Sequence, residues 1–85
     1  MQPQDTTELL QNIEKLHTTE LGMMRIRRNL SLNESEDVVA WCKAKIQDSD
    51  ADIVRRGKNW YINISYAEIT VNAYSYTIIT AHRKR

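Results

Sequence analysis

From Asp52 onward the apolar residues of this chain recur at every second position, whereas upstream they recur at every third or fourth. That change of period constrains the fold more than any other feature. Trp60, Ile62 and Ile64 alternate with Tyr61, Asn63 and Ser65, and Ile69, Val71 and Ala73 alternate with Thr70 and Asn72. Tyr76, Ile78 and Thr80 then alternate with Thr77, Ile79 and Ala81. Successive side chains of a strand point to opposite faces, so each run predicts one apolar and one polar face. Gly57-Lys58 is the clearest turn, and Tyr66-Ala67 and Tyr74-Ser75 are the expected others. Two-residue turns at those places pair Ile64 with Ile69, Ile62 with Val71, Trp60 with Ala73, and Val71 with Ile78. A slip of one residue would scatter the apolar side chains over both faces. The open face is then expected to carry Tyr61, Asn63, Thr70, Asn72 and Thr77, with Ile79 as its apolar member. Thr80, and His82 if the strand runs that far, fall on the covered face.

Upstream, Asp5 or Thr6 can cap a first helix with Leu9, Leu10, Ile13 and Leu16 as its stripe, ending near His17. Thr18-Thr19-Glu20 restarts the pattern, and Leu21, Met24 and Leu30 make a shorter stripe, with Arg25, Arg27 and Arg28 on or beside the polar side. Ser35 or Asn33 is the expected cap of a third helix, whose buried side is Val38, Val39, Trp41, Cys42 and Ile46 and whose Lys43 and Lys45 suit the negative end of its dipole. The fold class is therefore α+β: two or three N-terminal helices packed on one face of a four-stranded antiparallel β-meander, the other face at least partly open. Residues 1–85 form a single domain, with helices over about 6–48 and the sheet over about 52–82.

A chain of 85 residues has room for one small core. Its net charge of +1, from 12 basic and 11 acidic residues, gives no overall pull toward nucleic acid. The basic residues nevertheless gather at Arg25–Arg28, Arg55–Lys58 and Arg83–Arg85. Cys42 is the only cysteine, so no intramolecular disulfide forms, and its apolar helical setting suits a buried, inert thiol. Met1–Thr18 has no apolar core of the kind a secretory signal needs, and no run approaches the length of a membrane span. The expected location is cytoplasmic, without membrane association.

A polar sheet face beside basic segments suits a strand of RNA. Phosphates are met by Arg and Lys, bases by aromatic faces, and riboses by hydroxyl and amide groups. Arg55, Arg56 and Lys58 are candidates for the first task, as are Arg83, Lys84 and Arg85; Tyr61, Asn72, Tyr74 and Thr77 are candidates for the others. His17 and His82 are the only histidines. No HExxH or CxxC spacing occurs and no acidic cluster adjoins either histidine, so neither a metal site nor a cofactor is expected. Acid–base cleavage of RNA needs a proton acceptor, a donor and a cation for the phosphorane charge. His82 or His17 has the intrinsic chemistry for proton transfer, and an arginine of an upstream cluster supplies the cation. Both glycines stand alone, so no phosphate-cradling loop is present.

The stretches Leu16–Gly22, Arg25–Leu30, Asp37–Val39, Trp41–Lys43, Gly57–Tyr61, Ile69–Ala73 and Thr77–His82 resemble a family of small bacterial proteins catalogued as a domain of unknown function. The likeness covers nearly the whole chain from Thr6. That family's terminal motif reads Asn-Ala-His-Ser-Tyr-Thr, and Tyr74 stands here in the place of its histidine. A looser likeness in the order of elements is to the barnase, RelE-like and BrnT-like ribonuclease toxins. Residue by residue, that likeness implicates His17, Arg25 or Arg28, Arg55 or Arg56, Thr80 and His82. Its implied partners are RNA and a protein such as an antitoxin, although fold analogy does not establish activity.

Two readings follow. One is a small RNA-acting protein that binds RNA or cleaves it without metal. The other is a non-enzymatic module for a protein partner or a homodimer, because a four-stranded meander leaves two edges and edges invite pairing.

Overall fold

The computed structural model describes residues 8–84. The expected cap at Asp5 or Thr6, and Arg85 of the last basic cluster, lie outside the described residues. Residues 8–11 are helical and give way to a 3-10 turn, Ile13–Lys15, then to α1 (Glu20–Leu30) and α2 (Val38–Ile46). Four strands follow: β1 (Asp52–Arg56), β2 (Asn59–Ile64), β3 (Ala67–Asn72) and β4 (Ile78–Arg83). They pair antiparallel in the order β1-β2-β3-β4, which is the expected meander. The α+β architecture is as the periodicity indicates. Among the described residues, no helix is long and apolar enough to cross a membrane.

One core joins the helices to the covered sheet face. Leu9 and Leu16, Ile26 and Leu30 of α1, and Val38, Cys42 and Ile46 of α2 meet Trp60, Ile62, Ile69, Val71, Ile78 and Ala81. The first apolar stripe is interrupted rather than continuous. Asn12 donates its Nδ2 to Glu8 O at 2.9 Å and its main-chain N–H to Glu8 O and Leu9 O, closing the helix there. Leu10 is left exposed.

The burial of α1 differs from the expected stripe. Leu21 and Met24 are exposed, and Gly22, Ile26 and Leu30 face inward. The reason lies at Gly22. A Cβ there would overlap Thr18 Oγ1, which donates to Ile78 O at 2.9 Å, so the bare glycine lets the helix start sit close against the chain beside β4. Thr19 caps this helix by accepting from Gly22 N. At the other end Arg83 Nη2 donates to Leu30 O, and Asn29 Nδ2 donates to Ala81 O. Contacts from Thr18 to Ile78 at one end and from Arg83 to Leu30 at the other mean that α1 runs alongside β4 in the same direction. The cap of α2 is Asp37, not Ser35 or Asn33; its carboxylate accepts from Ala40 N at 3.1 Å. Glu36 instead folds back to Asn33, accepting its N–H at 3.1 Å.

The Gly57-Lys58 turn forms as expected, with Gly57 at φ 60°. The next turn is Ser65-Tyr66 rather than Tyr66-Ala67, so Ile64 pairs with Ala67, Ile62 with Ile69, and Trp60 with Val71. This is a slide of two residues, which preserves the faces. The β3–β4 connection is longer than Tyr74-Ser75, spanning residues 73–77. Tyr76 takes a left-handed conformation, φ 61°, to complete it.

Beyond that loop Val71 pairs with Ile78 as expected, but Thr70 pairs with Thr80, leaving Ile79 as the extra residue of a β-bulge. The bulge reverses the alternation of the strand's second half. Ala81 therefore enters the core, and Thr80 and His82 come to the open face, opposite to their expected orientation.

Candidate functional site

The open face is arranged in three cross-strand rows. Asp52, Asn63, Glu68 and His82 form the first; Val54, Tyr61, Thr70 and Thr80 the second; Arg56, Asn59 and Asn72 the third. The third row ends at the β1–β2 turn and the β3–β4 loop, which are tied together by Ala73 N donating to Lys58 O at 2.8 Å. Most of the candidate residues collect at this end.

Asn72 holds the loop. Its Oδ1 accepts from Tyr74 N and Ser75 N, both at 2.9 Å, and from Ser75 Oγ at 3.2 Å, a local side-chain cap of the kind Asn makes readily. Ser75 Oγ is 2.8 Å from Thr77 Oγ1, which is 3.1 Å from His17 Nε2. The other ring nitrogen, Nδ1, lies 2.9 Å from Lys15 O. A carbonyl can only accept, so Nδ1 carries a proton and neutral His17 accepts the Thr77 hydroxyl through Nε2. The single Thr77 hydroxyl proton then goes to His17, so the Ser75 hydroxyl proton is shared between Thr77 Oγ1 and Asn72 Oδ1.

His17 is placed there by the backbone. Its N–H donates to Tyr76 O and its carbonyl accepts from Ile78 N, forming a parallel bridge at the outer side of β4. Tyr76 anchors the loop from beneath, its ring 5.3 Å from that of Trp60. Lys15 Nζ lies 5.6 Å from the Tyr76 ring centre. Burial pushes the Tyr76 phenol above its ordinary pKa; Glu8 and Glu14 push the same way, and a hydrogen bond with Asn12 opposes them.

The adjoining basic cluster is split by the strand's alternation. Arg55 lies on the covered side, its guanidinium 5.7 Å from the ring centres of both Trp60 and Tyr74, with Nε donating to Gly57 O. It does not join the open face. Arg56 does, 5.3 Å from the Tyr61 ring. Tyr74 itself is 75% exposed, so its ring offers a free face. Asn59, between Arg56 and Asn72, donates Nδ2 to Tyr61 Oη at 3.3 Å and keeps a buried Oδ1 with no hydrogen-bond partner. Exchanging the amide's two ends would leave the nitrogen unmet instead, so one polar atom of this row awaits a partner in either assignment.

The remaining candidates lie apart. Thr80 and His82 are farther along β4, and His82 Nε2 sits 3.7 Å from Glu68 Oε1. His82 lies five positions beyond Thr77, about 15 Å along the strand, too far for the two histidines to flank one phosphate. Arg25 and Arg28 are exposed on α1. Arg28 lines an open groove with Met24, Arg27, Ser31, Leu32 and Glu34 at the far half of that helix from His17. Arg27 is structural, donating to Asn33 O and Glu36 O. Arg83 is committed to the end of α1. Among the described residues, no group of three or more His, Cys, Asp or Glu is placed to hold a metal.

Lys15 and Ser75 belong to the assembled end and were not among the sequence candidates. Ser75 could have been marked by its two-residue spacing from Thr77; Lys15 carries no comparable signal.

A family model described as "Protein of unknown function (DUF3781)" matches residues 10–82. The chain belongs to the DUF3781 family. The match takes in His17, all the residues of the Asn72–Thr77 loop and the basic clusters Arg25–Arg28 and Arg55–Lys58, and stops short of Arg83–Arg85. It bears out the likeness to a family of unknown function, and it carries nothing on ribonuclease chemistry. No curated protein and no solved structure matches this DUF3781 chain.

Proposed function

We propose that this DUF3781 protein binds single-stranded RNA at the end of the sheet formed by the β1–β2 turn and the β3–β4 loop. The observation that carries the reading is the Tyr74 ring, exposed, backed by the Arg55 guanidinium, and held by Asn72 beside the Ser75–Thr77–His17 chain. A base stacks on Tyr74. Phosphates meet Arg55, Arg56, Lys58 and Lys15, and none of these pairs with a carboxylate among the described residues. The hydroxyl, amide and imidazole groups can exchange hydrogen bonds with a ribose 2′-hydroxyl, which DNA lacks.

Binding is favoured over cleavage. Acid–base cleavage needs two proton-transfer groups around one phosphate, and only His17 stands at this end. The experiment is a fluorescence anisotropy titration with single-stranded RNA and DNA of equal length over a salt series. RNA is expected to bind more tightly, with affinity falling as salt rises by a log–log slope of about −0.7 per phosphate contacted. Tyr74→Ala is expected to weaken binding by about 1–3 kcal/mol, the contribution of one stacked base. Unchanged affinity in Tyr74→Ala, or no binding at low salt, would overturn the proposal.

A further inference from the structure

We propose that the free edge of β1 pairs with a second copy of this chain, antiparallel about Val54, joining two four-stranded sheets into one of eight strands. The two sheet edges are unlike. On the β4 edge, Ile78 N donates to His17 O, Ile78 O accepts from Thr18 Oγ1, and Ala81 O accepts from Asn29 Nδ2. On the β1 edge nothing is paired among the described residues, since β1 is bonded to β2 alone.

The two-residue turn closes on an exchanged pair, Arg56 with Asn59, so Arg56, Val54 and Asp52 direct their main-chain groups to β2. Ile53 and Arg55 must then direct theirs outward. Antiparallel pairing about Val54 sets Ile53 against Arg55 of the second copy, and Arg55 against its Ile53. Each such pair exchanges two N–H···O bonds, making four in all.

The sequence of β1, Asp-Ile-Val-Arg-Arg, is what commits the occupant to a copy of itself. The same register sets Asp52 against Arg56 of the other chain, twice, on the open face and in the closely spaced type of cross-strand pair. Charges on an edge strand ordinarily repel further strands; here the two signs are complementary under a two-fold axis. Because the β4 edge is engaged, the assembly closes as a dimer instead of growing into a filament. An edge of five residues is shorter than a standard interface, so the dimer forms reversibly with concentration. The proposal does not rest on RNA binding, although Arg56 takes part in both surfaces.

The test is disulfide mapping of the full chain together with sedimentation velocity over a dilution series. In the proposed register the two Val54 Cα atoms face each other at about 4.5 Å, within disulfide reach. Asp52 and Arg56 each lie about 13 Å from their own counterparts, beyond it. Val54→Cys is therefore expected to give a covalent dimer on mild oxidation, whereas Asp52→Cys and Arg56→Cys do not. The native Cys42 stays silent because it is buried with its pKa pushed up to about 12. By sedimentation, Asp52→Arg and Arg56→Asp should each raise the dimer dissociation constant at least about tenfold, and the double exchange should restore it. A wild-type chain that stays monomeric at millimolar concentration would overturn the proposal. So would equal cross-linking at all three positions, or a double exchange no better than the single variants.

Discussion

His17 and Thr77, sixty positions apart in the chain, share a 3.1 Å side-chain hydrogen bond and a main-chain bridge, and so join the segment before α1 to the loop before β4. The side-chain bond is exposed and neutral–neutral in the simplest tautomer, so its net contribution is small, about 0.5–1 kcal/mol. Thr77→Val and His17→Ala are each expected to destabilise by about 1 kcal/mol, with the double variant losing less than their sum. Urea denaturation of the four proteins measures that coupling. Strict additivity would mean that the two side chains act separately.

Two left-handed positions make a reciprocal pair. Ser31 ends α1 at φ 57°, with Leu32 N donating to Arg27 O, a helix end that glycine fits better. Gly57 has φ 60° and open space around its missing Cβ. Ser31→Gly is expected to stabilise the fold by up to about 1 kcal/mol, and Gly57→Ala to destabilise it by about 1–2 kcal/mol through backbone conformation alone. Thermal or urea unfolding reads both signs.

Gly22→Ala sets two effects against each other. Alanine gains about 1 kcal/mol of helix propensity, but its Cβ must displace Thr18 Oγ1 from the position in which it bonds Ile78 O. Loss of that part-buried hydrogen bond, together with the local shift of α1 from β4, is expected to win by about 1–2 kcal/mol. An alanine variant as stable as the parent would show that the close approach at Thr18 is not needed.

Cys42 makes stability depend on alkaline pH. Burial raises its pKa from 9.0 to about 12, so the unfolded chain ionises first as pH rises. The contribution is fully present below pH about 9 and is lost progressively toward pH about 12, with a total on the order of a few kcal/mol. Cys42→Ala is expected to lower stability at neutral pH by leaving a small cavity, while showing a shallower decline over that alkaline window. Parallel slopes for the two proteins would contradict a buried neutral thiol.

The fold was legible where one rule acted alone. The alternation of Trp60, Ile62 and Ile64 fixed the faces of β2, and Gly57-Lys58 marked its turn. It was illegible where local signals were balanced. Ile78-Ile79 is apolar at two successive positions, and neither Thr80 nor Ala81 is polar or large enough to declare a face, so the bulge left no trace. In α1, Leu21 and Met24 mimic a buried stripe, but the close approach is made by Gly22, which carries no hydropathy signal. At the candidate site, Arg55–Lys58, Asn72, Tyr74 and Thr77 could be named from residue type. Their meeting with His17 could not, because it depends on a bridge between segments with no pattern in common. The same alternation that predicts a strand also parts Arg55 from Arg56, which a reading of charge clusters overlooks.

The RNA surface is tested most directly by a 15N–1H NMR titration of the full chain with a short single-stranded RNA. The largest shifts are expected at His17, Lys58, Asn72, Tyr74, Ser75 and Thr77, with small ones at Glu68 and His82 at the opposite end of the open face. Shifts centred on Glu68 and His82, or a spectrum that RNA leaves unchanged at low salt, would contradict it.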